Sequence, residues 1–162
     1  LFSSTDDWDD QLEGAQSGLS GFLSTLRVYL THFRGQRSAI MQIMAPVAGS
    51  DAEAWEALTT ALGVKGLSVG QRWTAPAGLP AFGGVAEHVT QSPYDALLRL
   101  DKPGPGIAAL GAFTFPDGPT MVAMNFYLYG DQATERVARE TPLWQAWLQE
   151  RLPMPTESGN SE

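Results

Sequence analysis

Apolar Trp8, Leu12, Ala15, Leu19, Phe22, Leu26, Tyr29 and Phe33 recur at alternating steps of four and three, which predicts one long amphipathic helix. Asp6, Asp7, Asp9 and Asp10 in its first turn, His32 and Arg34 in its last, and Gly35 beyond it match the helix dipole and a left-handed stop. Gly14, Gly18 and Gly21 each cost about 1 kcal/mol relative to Ala, so the apolar stripe has to pack on something. Leu23 and Leu30 flank the seam and make it wider than a coiled-coil stripe, which favours a globular surface, with a partner copy as the alternative.

After Gly35 the period changes. Ala39, Met41, Ile43 and Ala45 alternate with Ile40, Gln42 and Met44 as a strand that Pro46 to Ser50 closes. Ser50 with Glu53 forms a capping box for a short helix carrying Trp55, Leu58 and Leu62 and ending at Gly63. Strands are predicted from Gln71 to Ala75, Gly83 to Gln91, Tyr94 to Asp101, Ile107 to Phe115 and Thr120 to Tyr129. Turn chemistry at Lys102 to Gly106 and Pro116 to Pro119, with short spacings, favours an antiparallel meander. A last helix runs from Asp131 to about Leu152, anchored by Val137, Trp144, Trp147 and Leu148 and kinked at Pro142. The polar residues that follow predict a disordered tail.

This order is an α+β layout in which a curved sheet wraps the last helix. It divides the chain into an amphipathic helix over 1–36, one domain over 37–153 and a tail over 154–162. The segments GFLSTLRVYL and LWQAWLQERL play similar parts in the first and last helices, as an internal duplication would produce. Leu1 in place of Met points to a trimmed or excised product, or to an alternative start or processing event.

Composition narrows the function classes. With 43% hydrophobic residues over 162 positions there is enough apolar material for a real core. The absence of cysteine removes disulfides, thiolate zinc sites and cysteine nucleophiles, and fits a reducing, cytoplasmic setting. No apolar run reaches the length of a membrane span, and the start lacks a signal-like pattern. A net charge of −8 and scattered arginines argue against nucleic acid.

Gly66-Leu67-Ser68-Val69-Gly70 fits the G-x-S-x-G pattern of serine hydrolases. That elbow needs a strand before it and a helix after it; here the order is reversed, so the segment reads as a glycine-rich connector. His32 and His88 are the only histidines and lack metal-ligand spacing, so neither a metal nor another cofactor is expected. His32 is expected to meet helix carbonyls. His88, on the face of Ala86 and Thr90 and opposite Glu87, either meets solvent or lines a cavity. Asp95, Arg99 and Asp101 share a strand face suited to cross-strand ion pairs.

Met41, Trp55, Trp73, Phe113, Met121, Met124, Phe126, Tyr127, Trp144 and Trp147 suit either a closed core or the wall of a pocket. Asn125 and Tyr127, alternating with Met121 and Ala123, would orient a ligand or face water. The candidate ligand contacts are Trp55, Trp73, His88, Met121, Asn125, Tyr127, Trp144 and Trp147, and no catalytic residue is singled out.

Ala45-Pro46 followed by Ala54-Trp55-Glu56-Ala57-Leu58-Thr59, then Gly70-Gln71-Arg72-Trp73, Gly84-Val85-Ala86-Glu87, Leu97 to Asp101 and Trp144 to Leu148, resembles the START-like SRPBCC superfamily. Within it the likeness is to the heat-shock-protein ATPase activator-like branch, over nearly the whole chain. Trp8 to Gly35 is similar to the closing helix of a preceding copy in two-lobed members, whose own sheet would then be missing here. The resemblance implies a helix-grip fold with a cavity between sheet and closing helix. Three readings follow, in this order. The first is a non-catalytic module holding a small apolar or amphipathic ligand. The second is a chaperone-activator-like interaction module that uses the first helix, through a homodimer or a chaperone contact. The third is a cyclase-type enzyme using the same cavity.

Overall fold

Residues 23–91 and 94–152 are described by the structure, a computed structural model. The described part of the first helix, α1, covers 23–32 and ends through Gly35, whose φ of 82° is the expected left-handed stop. The rest of that predicted helix, with its aspartate-rich first turn, lies outside the described residues, as does the predicted tail over 154–162.

The order thereafter is β1 (Ser38–Val47), α2 (Asp51–Leu62), β2 (Arg72–Thr74), β3 (Gly83–Gln91), β4 (Tyr94–Lys102), β5 (Gly106–Thr114), β6 (Thr120–Tyr129) and α3 (Ala133–Arg151). The strands form one antiparallel sheet in the order β1-β6-β5-β4-β3-β2. The stretch from β2 to β6 is the expected meander, and β1 closes beside β6. Ser50 caps α2 by accepting a hydrogen bond from the Glu53 N–H at 3.2 Å, while its own hydroxyl donates to Glu53 Oε1. Gly63, at φ 77°, ends that helix as predicted.

β1 runs on through Pro46 to Val47, beyond the expected stop at Pro46. Strand parity explains why. The Tyr129 N–H donates to Pro105 O at 2.9 Å, so odd-numbered residues of β6 bond toward β5 and even-numbered ones toward β1. Met41 opposite Phe126 and Ile43 opposite Met124 then carry the β1 ladder. The missing donor of Pro46 falls on the free side, where a strand tolerates proline.

The inner face of the sheet carries Met41, Ile43, Leu98, Leu100, Leu110, Met124, Phe126 and Leu128, all at most 3% exposed, under α2 and α3. α3 continues through Pro142 and lies chiefly over β1. Trp144 is fully buried, with its ring centroid 5.2 Å from Phe82 and 5.4 Å from both Phe126 and Trp147.

The outer face carries a second apolar cluster in which Val28 and Phe33 of the α1 segment meet Leu97, Ile107 and Tyr129. Phe33 stacks on Tyr129 at 4.4 Å. The expected globular surface for α1 is therefore this sheet, but the seam differs from the predicted one. Val28 is buried, whereas Leu26 of the predicted stripe stays 37% exposed. A helix resting on a flat sheet buries a face chosen by the strand residues beneath it, and periodicity on the helix alone does not specify that face.

Candidate functional site

Alternation along β4, β5 and β6 gives both faces of the sheet apolar positions: Leu97, Ile107, Ala109, Tyr127 and Tyr129 point outward between inward-facing neighbours. α1 covers one end of this outer surface. Between them lies a cleft of about 670 Å³ walled by Leu26, Tyr29, Leu97, Ala109, Phe113, Tyr127 and Tyr129, with His88, Asp95 and Asn125 as polar lining. The Tyr29 hydroxyl accepts from the Gly35 N–H at 3.2 Å, which ties the cleft wall to the end of the helix. Burial, followed by the neighbouring phenols of Tyr29 and Tyr127, pushes the Tyr129 phenol up to about 12. It therefore stays a neutral hydroxyl at physiological pH. Asn125 Oδ1 is buried without a hydrogen-bond partner among the described residues.

The rim is charged. A register shift between Ala86 and His88 inserts Glu87 as an extra residue, so Ala86 opposes Leu98 and His88 opposes Leu97. Glu87 and His88 consequently share the outer face, which corrects the expectation that Glu87 lies opposite His88 and that His88 shares the face of the fully buried Ala86. Glu87 accepts from Arg99 Nε at 2.8 Å, and His88 Nε2 lies 3.7 Å from Asp95 Oδ1. Arg72 pairs with Asp101. The face of Asp95, Arg99 and Asp101 thus carries the cross-strand pairs expected of it. His32 Nε2 approaches Glu87 at 3.9 Å, so it reaches across to β3 instead of the helix carbonyls.

The eight candidate contacts fall on both sides of the sheet. His88, Asn125 and Tyr127 come together in the outer cleft. Met121 is also on the outer face, paired with Pro46. Trp55, Trp73, Trp144 and Trp147 belong to the inner core. Trp55 lines a smaller inner pocket of about 240 Å³ between α2 and β3–β4, together with Thr59, Leu67, Val89, Tyr94 and Ala96. The space between the sheet and α3 is occupied by Trp144 and the rings around it. The indole N–H groups of Trp73, Trp144 and Trp147 are buried there without acceptors among the described residues.

Tyr29, Leu97, Ala109 and Tyr129 were not singled out as contacts from the sequence. Their signal was present: Leu97 is an apolar residue on the otherwise charged face of Asp95, Arg99 and Asp101, and Ile107 to Leu110 is apolar on both faces. A strand apolar on both faces has something packed on each side.

Gly66 and Gly70 adopt left-handed φ values of 78° and 88° in the link from α2 to β2. The Gly70 N–H donates to Ala86 O at 2.7 Å and the Gln71 N–H to Ser68 O at 2.9 Å. The segment is a turn stitched to β3, with a helix before it and a strand after it. Among the described residues no three His, Cys, Asp or Glu side chains gather as a metal site would need, and no helix is long and apolar enough to cross a membrane.

No protein-family model and no curated protein matches the chain by sequence. Solved structures do match. The solution structure of the Aha1 dimer from Colwellia psychrerythraea aligns with 69% of this chain and 92% of its own, at TM-score 0.52 and 12% identity. The X-ray structure of protein MLL2253 from Mesorhizobium loti aligns with 69% and 93%, at TM-score 0.51 and 13% identity. The fold of this chain is the Aha1-like, START-type helix-grip fold, an antiparallel sheet wrapped on a C-terminal helix.

Proposed function

We propose that this chain is a non-catalytic binding module that holds a small apolar or amphipathic ligand, and that the ligand lies in the cleft between α1 and the outer face of the sheet. The observation that carries this reading is the cleft itself: about 670 Å³ of space with aliphatic and phenolic walls, an Asn125 oxygen without a partner among the described residues, and a His–Asp rim. A few convergent polar groups in an apolar cleft are what a ligand with one polar end requires. Tyr127 and Tyr129 offer phenolic hydroxyls, and Asn125 offers an amide. The inner location expected from the resemblance has less support, because Trp144 and its neighbours fill the space under α3.

The test is titration with the fluorescent fatty acid cis-parinaric acid. Saturable binding to the wild type, lost in Ala109→Trp and kept in Ala52→Trp, supports the outer cleft, because Ala109 lines that cleft and Ala52 lines the inner pocket. Loss in Ala52→Trp alone moves the ligand to the inner face. Absence of saturable binding overturns the ligand reading.

A second reading, an activator-like protein-contact module, is supported by Leu23, Leu26 and Leu30, which stay 51%, 37% and 49% exposed on α1. A helix whose stripe is only partly covered retains surface for a partner. Pull-down of a purified chaperone ATPase by the wild type and not by Leu23→Lys/Leu30→Lys distinguishes it.

A further inference from the structure

The two edges of the sheet are unlike. β2, at one edge, is three residues long and carries the charged Arg72, both of which discourage further strand pairing. β1, at the other, is ten residues long, reads SAIMQIMAPV and contains no charge. Ile40 and Met44 on it are 54% and 49% exposed. Among the described residues no main-chain hydrogen bond from outside the sheet reaches residues 38–47. By the parity set at Tyr129, the N–H and C=O groups of Ile40, Gln42 and Met44 point to this free side. An edge of that length and composition is a template for another strand.

The sequence of β1 indicates which strand. About Gln42 it is nearly palindromic: Ala39 mirrors Ala45, Ile40 mirrors Met44 and Met41 mirrors Ile43. We propose that β1 pairs antiparallel with β1 of a second copy of this chain, about a two-fold axis at Gln42, joining the two sheets into one. A two-fold interface needs a self-complementary surface, and this register supplies it on the outer face, where Ile40 and Met44 are exposed. There, Ile40 meets Met44 of the second copy and the two Gln42 amides meet each other. Parity agrees as well, because even-numbered residues with free main-chain groups face even-numbered residues. Pro46, opposite Ser38, lacks the donor to extend the ladder and ends it. This interface is separate from the ligand cleft and from α1.

The experiment is sedimentation velocity on the full chain. The wild type is expected to be a dimer. Gln42→Lys, which sets two ammonium groups against each other on an exposed position, is expected to be a monomer with unchanged circular dichroism. Leu30→Lys, on α1, is expected to stay dimeric. A monomeric wild type, a dimeric Gln42→Lys, or loss of the dimer in Leu30→Lys would each overturn the proposal. The register has its own readout because the chain has no cysteine. Gln42→Cys brings two Cα atoms to about 5.5 Å, within disulfide reach, and should link nearly completely on oxidation. Met44→Cys, whose mate lies about 13 Å away along the strand, should not link. Linkage by Met44→Cys and none by Gln42→Cys rejects the register even if Gln42→Lys fails to fold.

Discussion

Phe33→Ala removes the ring that fixes α1 on the sheet. Phe33 is 6% exposed and stacks on Tyr129 with 13° between the planes, in a cluster otherwise made of Val28, Leu97, Ile107 and Tyr129. Truncating a buried Phe costs about 3–5 kcal/mol in a closed core. This satellite cluster has one partly open side and can relax, so the low end, about 3 kcal/mol, is the better expectation. The main core under α2 and α3 does not include Phe33, so the loss falls on docking of α1 rather than on the sheet. At about 1.4 kcal/mol per decade, it weakens docking on the order of 100-fold. Hydrogen exchange followed by mass spectrometry reads this directly. Amides over 27–33 should lose about two orders of magnitude of protection while those of β5 and β6 keep theirs, and cis-parinaric acid binding should fall with the docked population. Equal loss of protection in α1 and the sheet, or none in either, would refute the separation of the two clusters.

Further outcomes follow from the same geometry. Trp144→Ala, at a fully buried ring, should cost about 3–5 kcal/mol in urea unfolding; Trp144→Phe should cost much less, because the indole N–H it deletes has no acceptor among the described residues. A Cβ at Gly84 would lie 1.9 Å from Arg99 O, so Gly84→Ala should break the β3–β4 register and fail to give folded protein by circular dichroism, while Gly111→Ala, with its nearest atom at 3.6 Å, should be tolerated. Ser50→Ala removes the α2 cap and should lower stability by about 1 kcal/mol in the same unfolding assay. Absorbance titration should show one tyrosine ionising near pH 12 and missing in Tyr129→Phe. Because that phenol is raised above its unfolded value near 10, its contribution is fully present below pH 10 and is lost as pH rises through about 12.

Local signals carried far in this chain. Period-two alternation located β3 and β6 at their observed ends, and the Ser50 and Gly63 signals bounded α2, because caps and pleats are set by residues adjacent in sequence. Three features depended on residues far apart. The bulge at Glu87 follows from the match between β3 and β4, and neither strand alone encodes it. Trp144 was a candidate cavity wall from its residue type, yet Phe82 and Phe126 arrive from other parts of the chain to close around it. The cleft needs α1 to land on the outer face, a choice made by Leu97 and Ile107 as much as by the helix. His88, Asn125 and Tyr127 were identifiable as polar positions in apolar strands, but their meeting depends on β3 and β6 facing the same way across β4 and β5.

Methyl NMR on the full chain titrated with a medium-chain fatty acid addresses the proposed site most directly. The account predicts saturable shifts at Leu26, Leu97 and Ala109, which wall the outer cleft, with Leu58 and Leu62 of the inner core unmoved. Shifts confined to Leu67 and Val89 around the inner pocket, or none at saturating fatty acid, would contradict it.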